Sequence, residues 1–182
     1  MNKLRIPTLE TNRLILRAVT MDDALDMFAY TSNPEVTRYL SFPTHTSVED
    51  AQWAIANIFM KRPDNGSPEA FAIVDKTTHQ MIGTCDFWRV DGDNTYEMGY
   101  VLNQAYWGQG LMTEACRAVL KFAFEDFGVR RIEIRHNAEN IGSRNIIKKQ
   151  GFTYEGVRRR LVKIDEHYSD IVYYAMLDEE FK

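Results

Sequence analysis

A chain of 182 residues with 45% apolar and 12% aromatic side chains can bury a sizeable core, which excludes a disordered protein. Its formal net charge of −4 gives no broad basic surface, so direct binding of nucleic acid is not expected. No apolar run approaches the length of a membrane span, and the charged start lacks an export signal. The two cysteines have no CxxC spacing, which argues against a metal site and favours a reducing compartment. We therefore expect a cytoplasmic protein without membrane association or a metal centre.

The first third of the chain predicts one strand and two helices. Residues 12–18 alternate apolar and basic side chains, as half-buried strands do. Residues 22–32 form a predicted helix that the Asn-Pro pair at 33–34 ends. A second helix is predicted over residues 51–60, and the Ser-x-x-Asp segment at 47–50 before it resembles a capping box.

The rest of the chain predicts strands interrupted by two helices. The strands are expected at residues 70–75, 81–90, 95–102, 131–137, 152–164 and 166–177. A longer helix precedes the fourth of these strands and ends at Gly128, and a shorter one after it ends at Gly151. Asp91-Gly92 and Asp165-Glu166 supply turns between neighbouring strands. This order predicts a single α/β domain over residues 1–182.

A glycine-rich turn joins the strand at 95–102 to the longer helix, in the stretch YWGQGLMTEA over residues 106–115. The N–H groups of a first helical turn are free, and the helix dipole favours an anion there. Gly108 and Gly110 allow unusual backbone dihedrals and let an anion approach the main chain closely. The stretch therefore predicts a phosphate site, although a tight strand-to-helix turn alone would also use two glycines. It lacks the GKS or GKT of a Walker loop and the third glycine of a dinucleotide fingerprint.

This turn and three other segments, in chain order, resemble the GNAT acetyltransferase superfamily. The acetyl-CoA loop of that superfamily has the form Q/R-x-x-G-x-G/A, and residues 107–112 read WGQGLM in that register, with tryptophan first and methionine last. Trp-Gly-x-Gly before Thr-Glu-Ala is similar to the RimJ/RimL branch, the ribosomal-protein N-terminal acetyltransferases. The opening TNRLILR, the segment from NIGS to KQGF at 140–152, and the closing DIVYYAML also resemble that branch. The resemblance covers nearly the whole chain.

The resemblance implies a mixed, mostly antiparallel sheet with flanking helices, whose central strands, residues 95–102 and 131–137, splay apart. The pantetheine arm of acetyl-CoA would lie in the gap and pair with strand backbone at Tyr100, Val101 and Leu102. The resemblance also implies that the pyrophosphate binds the backbone of Gly108, Gln109, Gly110, Leu111, Met112 and Thr113. Asn140 would lie near the CoA arm and also cap its own helix. Acetyl-CoA is thus the implied co-substrate, without a metal.

Two side chains are candidates for the chemistry of acetyl transfer to an amine. The amine must lose a proton, and the departing thiolate benefits from gaining one. By resemblance, Glu97 is the candidate base and Ser143 is the candidate partner of the CoA sulfur; a solvated strand glutamate and an ordinary helix-turn serine are the alternative interpretations. Many members of the superfamily carry a tyrosine acid seven residues after the asparagine, but Ile147 stands there. Cys85 and Cys116 are interpreted as core thiols, because direct transfer needs no cysteine nucleophile.

We expect an acetyl-CoA-dependent N-acetyltransferase that works by direct transfer in a ternary complex. By resemblance, the favoured acceptor is a protein N-terminal α-amine, as on a ribosomal protein. An α-amine pKa of about 7.7–8.0 leaves more free amine than a lysine pKa of about 10.4, which favours this acceptor weakly. A polyamine, an amino sugar or an amino-acid derivative is the alternative acceptor. A CoA-binding regulatory module without turnover and an ATP-binding protein are further hypotheses, and a two-fold dimer is compatible with the sequence.

Overall fold

The computed structural model describes residues 4–90, 93–164 and 166–182. The strands of this part of the chain are β1 (Leu9–Glu10), β2 (Leu14–Ala18), β3 (Phe71–Asp75), β4 (Met81–Arg89), β5 (Thr95–Leu102), β6 (Arg131–Asn137), β7 (Thr153–Ile164) and β8 (His167–Leu177). Its α-helices are α1 (Ala24–Thr31), α2 (Pro34–Thr37), α3 (Val48–Ala54), α4 (Leu111–Lys121) and α5 (Ile141–Gln150). π-Helical turns extend α3 over Ile55–Phe59 and α4 over Phe122–Phe127. The turn predicted at Asp91-Gly92, and Asp165 of the last predicted turn, lie outside the described residues.

The strands form one sheet in the order β1-β2-β3-β4-β5-β6-β8-β7. Neighbouring strands are antiparallel except β5 and β6, which run parallel because α4 crosses over between them. These two strands pair only from Thr95 opposite Arg131 to Glu97 opposite Glu133. Both continue beyond these pairs without pairing to each other, which leaves a gap at the centre of the sheet. The predicted fold class, a mixed and mostly antiparallel sheet with splayed central strands and flanking helices, is confirmed.

Helices cover both faces of the sheet and bury two apolar clusters. Side chains alternate along β3, so Phe71 and Ile73 pack in the cluster of α4 and α5, whereas Ala72 packs in the cluster of α1, α2 and α3. On β5, Tyr96 and Met98 belong to the cluster of α4 and α5. The odd-numbered positions of β5 therefore face the other side of the sheet. This alternation decides which candidate residues share a side.

The central elements occupy their predicted positions. β5 and β6 coincide with the predicted strands at 95–102 and 131–137. The long helix ends at Gly128 with a φ of 82°, and α5 ends at Gly151 with a φ of 89°. Both glycines are left-handed, as glycine just after a helix commonly is.

Two short elements near the N-terminus were not predicted. β1 precedes the first predicted strand, which itself begins at Leu14 because the Thr11 N–H donates to the Leu14 carbonyl at 3.0 Å in a tight turn. The Asn33-Pro34 pair ends α1 but also begins α2. The Asn33 side chain accepts a hydrogen bond from the Glu35 N–H at 3.0 Å, and proline fits the first helical position. Elements of two and four residues are too short to show a periodicity in the sequence.

Candidate active site

Two glycines with left-handed backbone form the turn between β5 and α4. Gly108 has a φ of 75° and Gly110 has a φ of 77°, values that residues with a Cβ rarely adopt. The first hydrogen bond of α4 runs from the Glu114 N–H to the Gly110 carbonyl at 3.1 Å. The N–H groups of residues 111–113 precede that bond, so they have no acceptor within the helix. The turn therefore presents main-chain donors together with the positive end of the helix dipole.

The turn before β2, which contains Thr11 and Arg13, contacts the glycine loop and the first turn of α4. Glu114 accepts hydrogen bonds from the Thr11 hydroxyl at 2.6 Å, the Arg13 N–H at 2.9 Å and Arg13 Nε at 2.8 Å. Arg13 Nη1 also donates to the Gln109 carbonyl at 2.9 Å. Burial alone would raise the pKa of the Glu114 carboxyl, but the hydrogen bonds from Thr11 and Arg13 together lower it. The TNRL segment was noted in the sequence as part of a resemblance, yet its contact with the loop was not predicted.

Trp107 stands where the loop of the superfamily has glutamine or arginine, and it ties the loop to β5. Its indole Nε1 donates to the Leu102 carbonyl at 2.8 Å. That carbonyl belongs to the stretch of strand predicted to pair with the CoA arm, and it already accepts a hydrogen bond from Trp107. The Gln109 side chain donates to the Ala105 carbonyl at 3.1 Å, within the loop.

An open cleft of about 580 Å³ lies in front of the glycine turn. Its walls come from the end of β5, the turn and first residues of α4, the first turns of α5, and residues 35–40 in and after α2. Every predicted cofactor-binding residue lines the cleft except Gln109. Arg38 and Lys149 add cationic side chains to the walls, whereas Glu35 and Glu139 add acidic ones. The structure thus brings the predicted cofactor residues from β5, α4 and α5 together around one space.

The N-terminus of α5 faces this cleft with a capped first turn. Asn140 Oδ1 accepts a hydrogen bond from the Ser143 N–H at 3.0 Å. The Tyr100 hydroxyl lies 2.9 Å from the Ser143 hydroxyl, where either oxygen can be the donor, and 3.3 Å from the Ser143 carbonyl, which can accept its proton instead. Ile147, at the position of the tyrosine acid found in many members of the superfamily, is fully buried in the apolar core. The Tyr100 hydroxyl was not predicted as a functional group, because the sequence pointed only to the backbone of that residue.

Glu97 lies where the central gap begins, on the face of the sheet opposite α4. Its Oε1 is 2.8 Å from Nε of Arg135 on β6, and its side chain is 16% exposed. Burial raises the pKa of Glu97, and the Arg135 guanidinium offsets part of that increase. Glu97 does not line the cleft in front of the glycine turn. The candidate base therefore lies outside the cleft, on the face of the sheet opposite α4, which Val101 and the wall residues 35–40 share.

A second buried carboxylate shares the face of Glu97. Asp86 on β4 pairs with Arg62, whose guanidinium lies 4.9 Å from the centroid of the Trp88 ring. Burial raises the pKa of Asp86, and Arg62 lowers it in part. Trp88 is the residue opposite Glu97 in the register of β4 and β5. This charged and aromatic surface was not predicted, since its members are separated in the sequence and form no motif.

The two thiols are core residues, as the sequence analysis predicted. Cys85 and Cys116 are buried with their sulfur atoms 3.8 Å apart, and neither lines the cleft. Across residues 4–90, 93–164 and 166–182, no group of three or more His, Cys, Asp and Glu side chains could hold a metal ion. No helix in this described part is both long enough and apolar enough to cross a membrane.

The geometry suits an elongated ligand that carries phosphates at one end and a reactive acyl group at the other. Free N–H groups at the glycine turn match the oxygens of a diphosphate. The end of β5, which lacks a partner strand on the side of β6, can pair with amide groups. Ser143 supplies a hydroxyl further along the cleft, and Glu97 supplies a carboxylate across the gap. Diphosphate, amide arm and acyl thioester are the chemical parts of acetyl-CoA.

Comparison with known sequences agrees with this chemistry. A family model described as "Acetyltransferase (GNAT) domain" matches residues 13–153. The uncharacterized N-acetyltransferase p20 of Bacillus licheniformis is 33% identical over 175 residues, which cover 96% of this chain and 98% of the relative. The ribosomal protein uS5-alanine N-acetyltransferase of Escherichia coli is 26% identical over 179 residues, which cover 92% of this chain and 89% of the relative.

Solved structures show the same architecture. A GNAT-family acetyltransferase from Bacillus anthracis has a TM-score of 0.85 at 26% identity, with 96% of this chain and 100% of the other covered. RimL, described as a ribosomal L7/L12 alpha-N-protein acetyltransferase in complex with coenzyme A, has a TM-score of 0.83 at 20% identity, with 94% and 98% covered. The chain therefore belongs to the GNAT acetyltransferase family, as an N-acetyltransferase that uses acetyl-CoA as its co-substrate.

Proposed function

We propose that this N-acetyltransferase transfers the acetyl group directly from acetyl-CoA to a protein N-terminal α-amine, with both substrates bound at once. The position of the gap between β5 and β6 carries the proposal. The main-chain donors of the glycine turn lie at the start of α4, and the Glu97 carboxylate lies near the gap on the face of the sheet opposite α4. Acetyl-CoA bound at the glycine turn and an acceptor amine beside Glu97 can therefore meet at the gap without displacing one another.

The glycine turn and the end of β5 hold the co-substrate in this proposal. Backbone N–H groups over residues 108–113 bind the diphosphate, and the backbone of Tyr100 and Val101 pairs with the amides of the pantetheine arm. Leu102 contributes through its position on the cleft wall, because its carbonyl is bonded to Trp107. When bound, acetyl-CoA supplies a thioester whose carbonyl carbon accepts the amine.

Glu97 acts as the base that removes a proton from the acceptor amine. Its pKa is raised mainly by burial, which brings the carboxylate closer to the pKa of an amine and makes it a stronger base. The 2.8 Å contact with Arg135 holds the carboxylate in one place. An α-amine, with a pKa of about 7.7–8.0, is partly deprotonated near neutral pH, so it needs only modest activation.

Ser143 stabilises the departing sulfur by donating a hydrogen bond from its hydroxyl. It lies in the first turn of α5 and lines the cleft, where the helix dipole also favours developing negative charge. The proposal that Ser143 has this role is supported by Ile147, whose side chain has no hydroxyl at the position where many members of the superfamily carry a tyrosine acid.

Relatives support a ribosomal-protein N-terminus as the acceptor. The Escherichia coli relative acts on alanine of ribosomal protein uS5, and RimL acts on the α-amine of ribosomal L7/L12, according to their descriptions. Both are more distant than the p20 relative, which has no assigned acceptor. The charged and aromatic face around Glu97 and Trp88 is compatible with a peptide.

Thiol release from acetyl-CoA, followed by mass spectrometry of the acceptor, tests the proposal. The acceptors are peptides with free N-termini, the same peptides with blocked N-termini and an internal lysine, and a set of polyamines, amino sugars and amino-acid derivatives. We expect acetylation of free N-termini and none of the blocked peptides. Turnover confined to the small amines would replace the proposed acceptor class, and turnover on lysine alone would contradict the choice of an α-amine.

A further inference from the structure

The Tyr100 side chain connects β5 to α5 at the wall of the cleft through its hydroxyl. The Tyr100 hydroxyl lies 2.9 Å from Ser143 Oγ and 3.3 Å from the Ser143 carbonyl. Tyr100 belongs to the part of β5 that no longer pairs with β6, and both residues line the cleft. The contact therefore crosses the region where the central strands have separated.

The Tyr100 phenol carries one proton, and either hydroxyl of the pair can be the donor. Burial raises the pKa of Tyr100, so the phenol keeps a proton that it can donate either to Ser143 Oγ or to the Ser143 carbonyl. The Ser143 N–H is already bonded to Asn140, and Ser143 Oγ has no partner other than Tyr100 among the described residues. When Tyr100 donates to Ser143 Oγ, the serine proton must point elsewhere. The cleft that Ser143 lines is the space open to it.

We propose that Tyr100 is a positioning residue that orients the Ser143 hydroxyl toward the sulfur leaving acetyl-CoA. This inference rests on the proposed transfer reaction. In that reaction the amine nitrogen bonds to the acetyl carbon, the carbon–sulfur bond breaks, and its electron pair leaves on sulfur. The proton lost by nitrogen goes to Glu97 and then to solvent. A free thiol pKa of about 8.5 makes the thiolate an adequate leaving group when Ser143 donates a hydrogen bond to it.

Tyr100 does not itself give up a proton in this scheme. Burial raises the pKa of this phenol, which makes it a poor acid. The arrangement also gives a chain with Ile147 in its core a tyrosine hydroxyl beside Ser143. That hydroxyl comes from β5 instead of α5, and it acts through Ser143.

Steady-state kinetics of Tyr100→Phe, Ser143→Ala and the double variant test the assignment. The phenylalanine variant keeps the buried ring and removes only the hydroxyl. We expect kcat to fall by about tenfold for Tyr100→Phe, since one oriented donor is lost, with KM for acetyl-CoA unchanged within about twofold. The kcat of Ser143→Ala should fall at least as far. The kcat of the double variant should be no lower than that of Ser143→Ala, because Tyr100 acts only through Ser143. Tyr168→Phe is the control, since Tyr168 is 61% exposed and does not line the cleft.

Three results would overturn the assignment. Losses that multiply in the double variant would show that Tyr100 acts independently of Ser143. An unchanged kcat in Tyr100→Phe would show that the hydroxyl is dispensable. A rise in the KM for acetyl-CoA at constant kcat would make Tyr100 a binding residue. Each leaves the proposed function intact if the wild-type protein turns over, whereas a wild-type protein inactive on every amine would remove both proposals. Thermal unfolding of each variant identifies a loss that comes from misfolding.

Discussion

Replacing Glu114 with alanine tests whether the turn before β2 holds the glycine loop in its binding conformation. The carboxylate accepts hydrogen bonds from Thr11, the Arg13 N–H and the Arg13 guanidinium at 2.6 to 2.9 Å. Its side chain is 19% exposed, but that of Arg13 is 48% exposed, so the ion pair itself is partly screened by water. The guanidinium contact should contribute about 0.2–1 kcal/mol. Each of the other two bonds should contribute about 1–1.5 kcal/mol.

Together these contacts give an expected loss of about 2–4 kcal/mol in the free energy of unfolding. For a chain of 182 residues, that loss lowers Tm by roughly 5–15 °C. The same variant frees the Arg13 side chain, which holds the Gln109 carbonyl at 2.9 Å. Re-ordering even one loop residue on binding costs about 1–2 kcal/mol, so Kd for acetyl-CoA should rise by about tenfold.

Thermal unfolding and calorimetric titration with acetyl-CoA measure the two effects separately. Glu10→Ala is a matched control, because Glu10 pairs with Lys76 nearby but is 67% exposed. That variant should change stability by less than about 1 kcal/mol and leave Kd unchanged. An unaltered Kd in Glu114→Ala would refute the inference that the contact prepares the loop. An unaltered Tm would refute the stability estimate.

The same contact predicts a dependence of stability on pH. The pKa of Glu114 is lowered in the folded protein, so its contribution is complete above the unfolded value of 4.5 and is lost as pH falls through the folded pKa. The stability difference between wild type and Glu114→Ala should therefore be largest near about pH 7 and shrink in acid. A difference that stays constant down to about pH 3 would contradict the assigned hydrogen bonds.

Three further predictions concern the cleft and the core. Gly110→Ala should lower the free energy of unfolding by about 1–2 kcal/mol, because its backbone is left-handed, and should weaken acetyl-CoA binding. Gly66→Ala is the control: its φ of 72° is comparable, but it does not line the cleft, so it should destabilise the protein without affecting binding. Calorimetric titration measures both, and equal Kd values for the two variants would contradict the role of the turn. Glu97→Gln should lower kcat/KM by about 10²–10⁴-fold and remove the acidic limb of the pH profile of kcat/KM. In the wild type the midpoint of that limb lies above 4.5, because burial raises the pKa of Glu97. An acidic limb that persists in the variant would exclude Glu97 as the base. Substituting both Cys85 and Cys116 by alanine should preserve kcat in a direct acetylation assay, because direct transfer needs no protein thiol. A lower kcat without a lower Tm would argue for a covalent step through a cysteine.

Features decided by the local backbone could be predicted from the sequence. Gly108 and Gly110 stand between a strand and a helix, and both adopt the left-handed φ that suggested a binding turn. Asn140 was expected as a cap, and it accepts the Ser143 N–H. Such signals survive in sequence because a turn or cap depends on residues only a few positions apart. The ordered set of segments then identified the family and its splayed sheet.

Contacts between distant parts of the chain were not predictable in this way. Thr11 and Glu114 are 103 positions apart, and Tyr100 and Ser143 are 43 apart, yet each pair shares a hydrogen bond. No periodicity or spacing rule links such residues, because their distance depends on how the sheet and helices pack. The face of the sheet on which Glu97 lies also required the register of β5 against its neighbours.

The sequence by itself determined the order of the central strands and helices, the glycine turn and the membership of the family, since these depend on short-range backbone preferences and ordered motifs. Only the tertiary structure decided that Glu114 secures the turn, that Tyr100 reaches Ser143, and that the candidate base lies outside the cleft, on the face of the sheet opposite α4. The physical reason is that a side chain acquires partners, burial and a shifted pKa only when remote segments are brought into contact by folding.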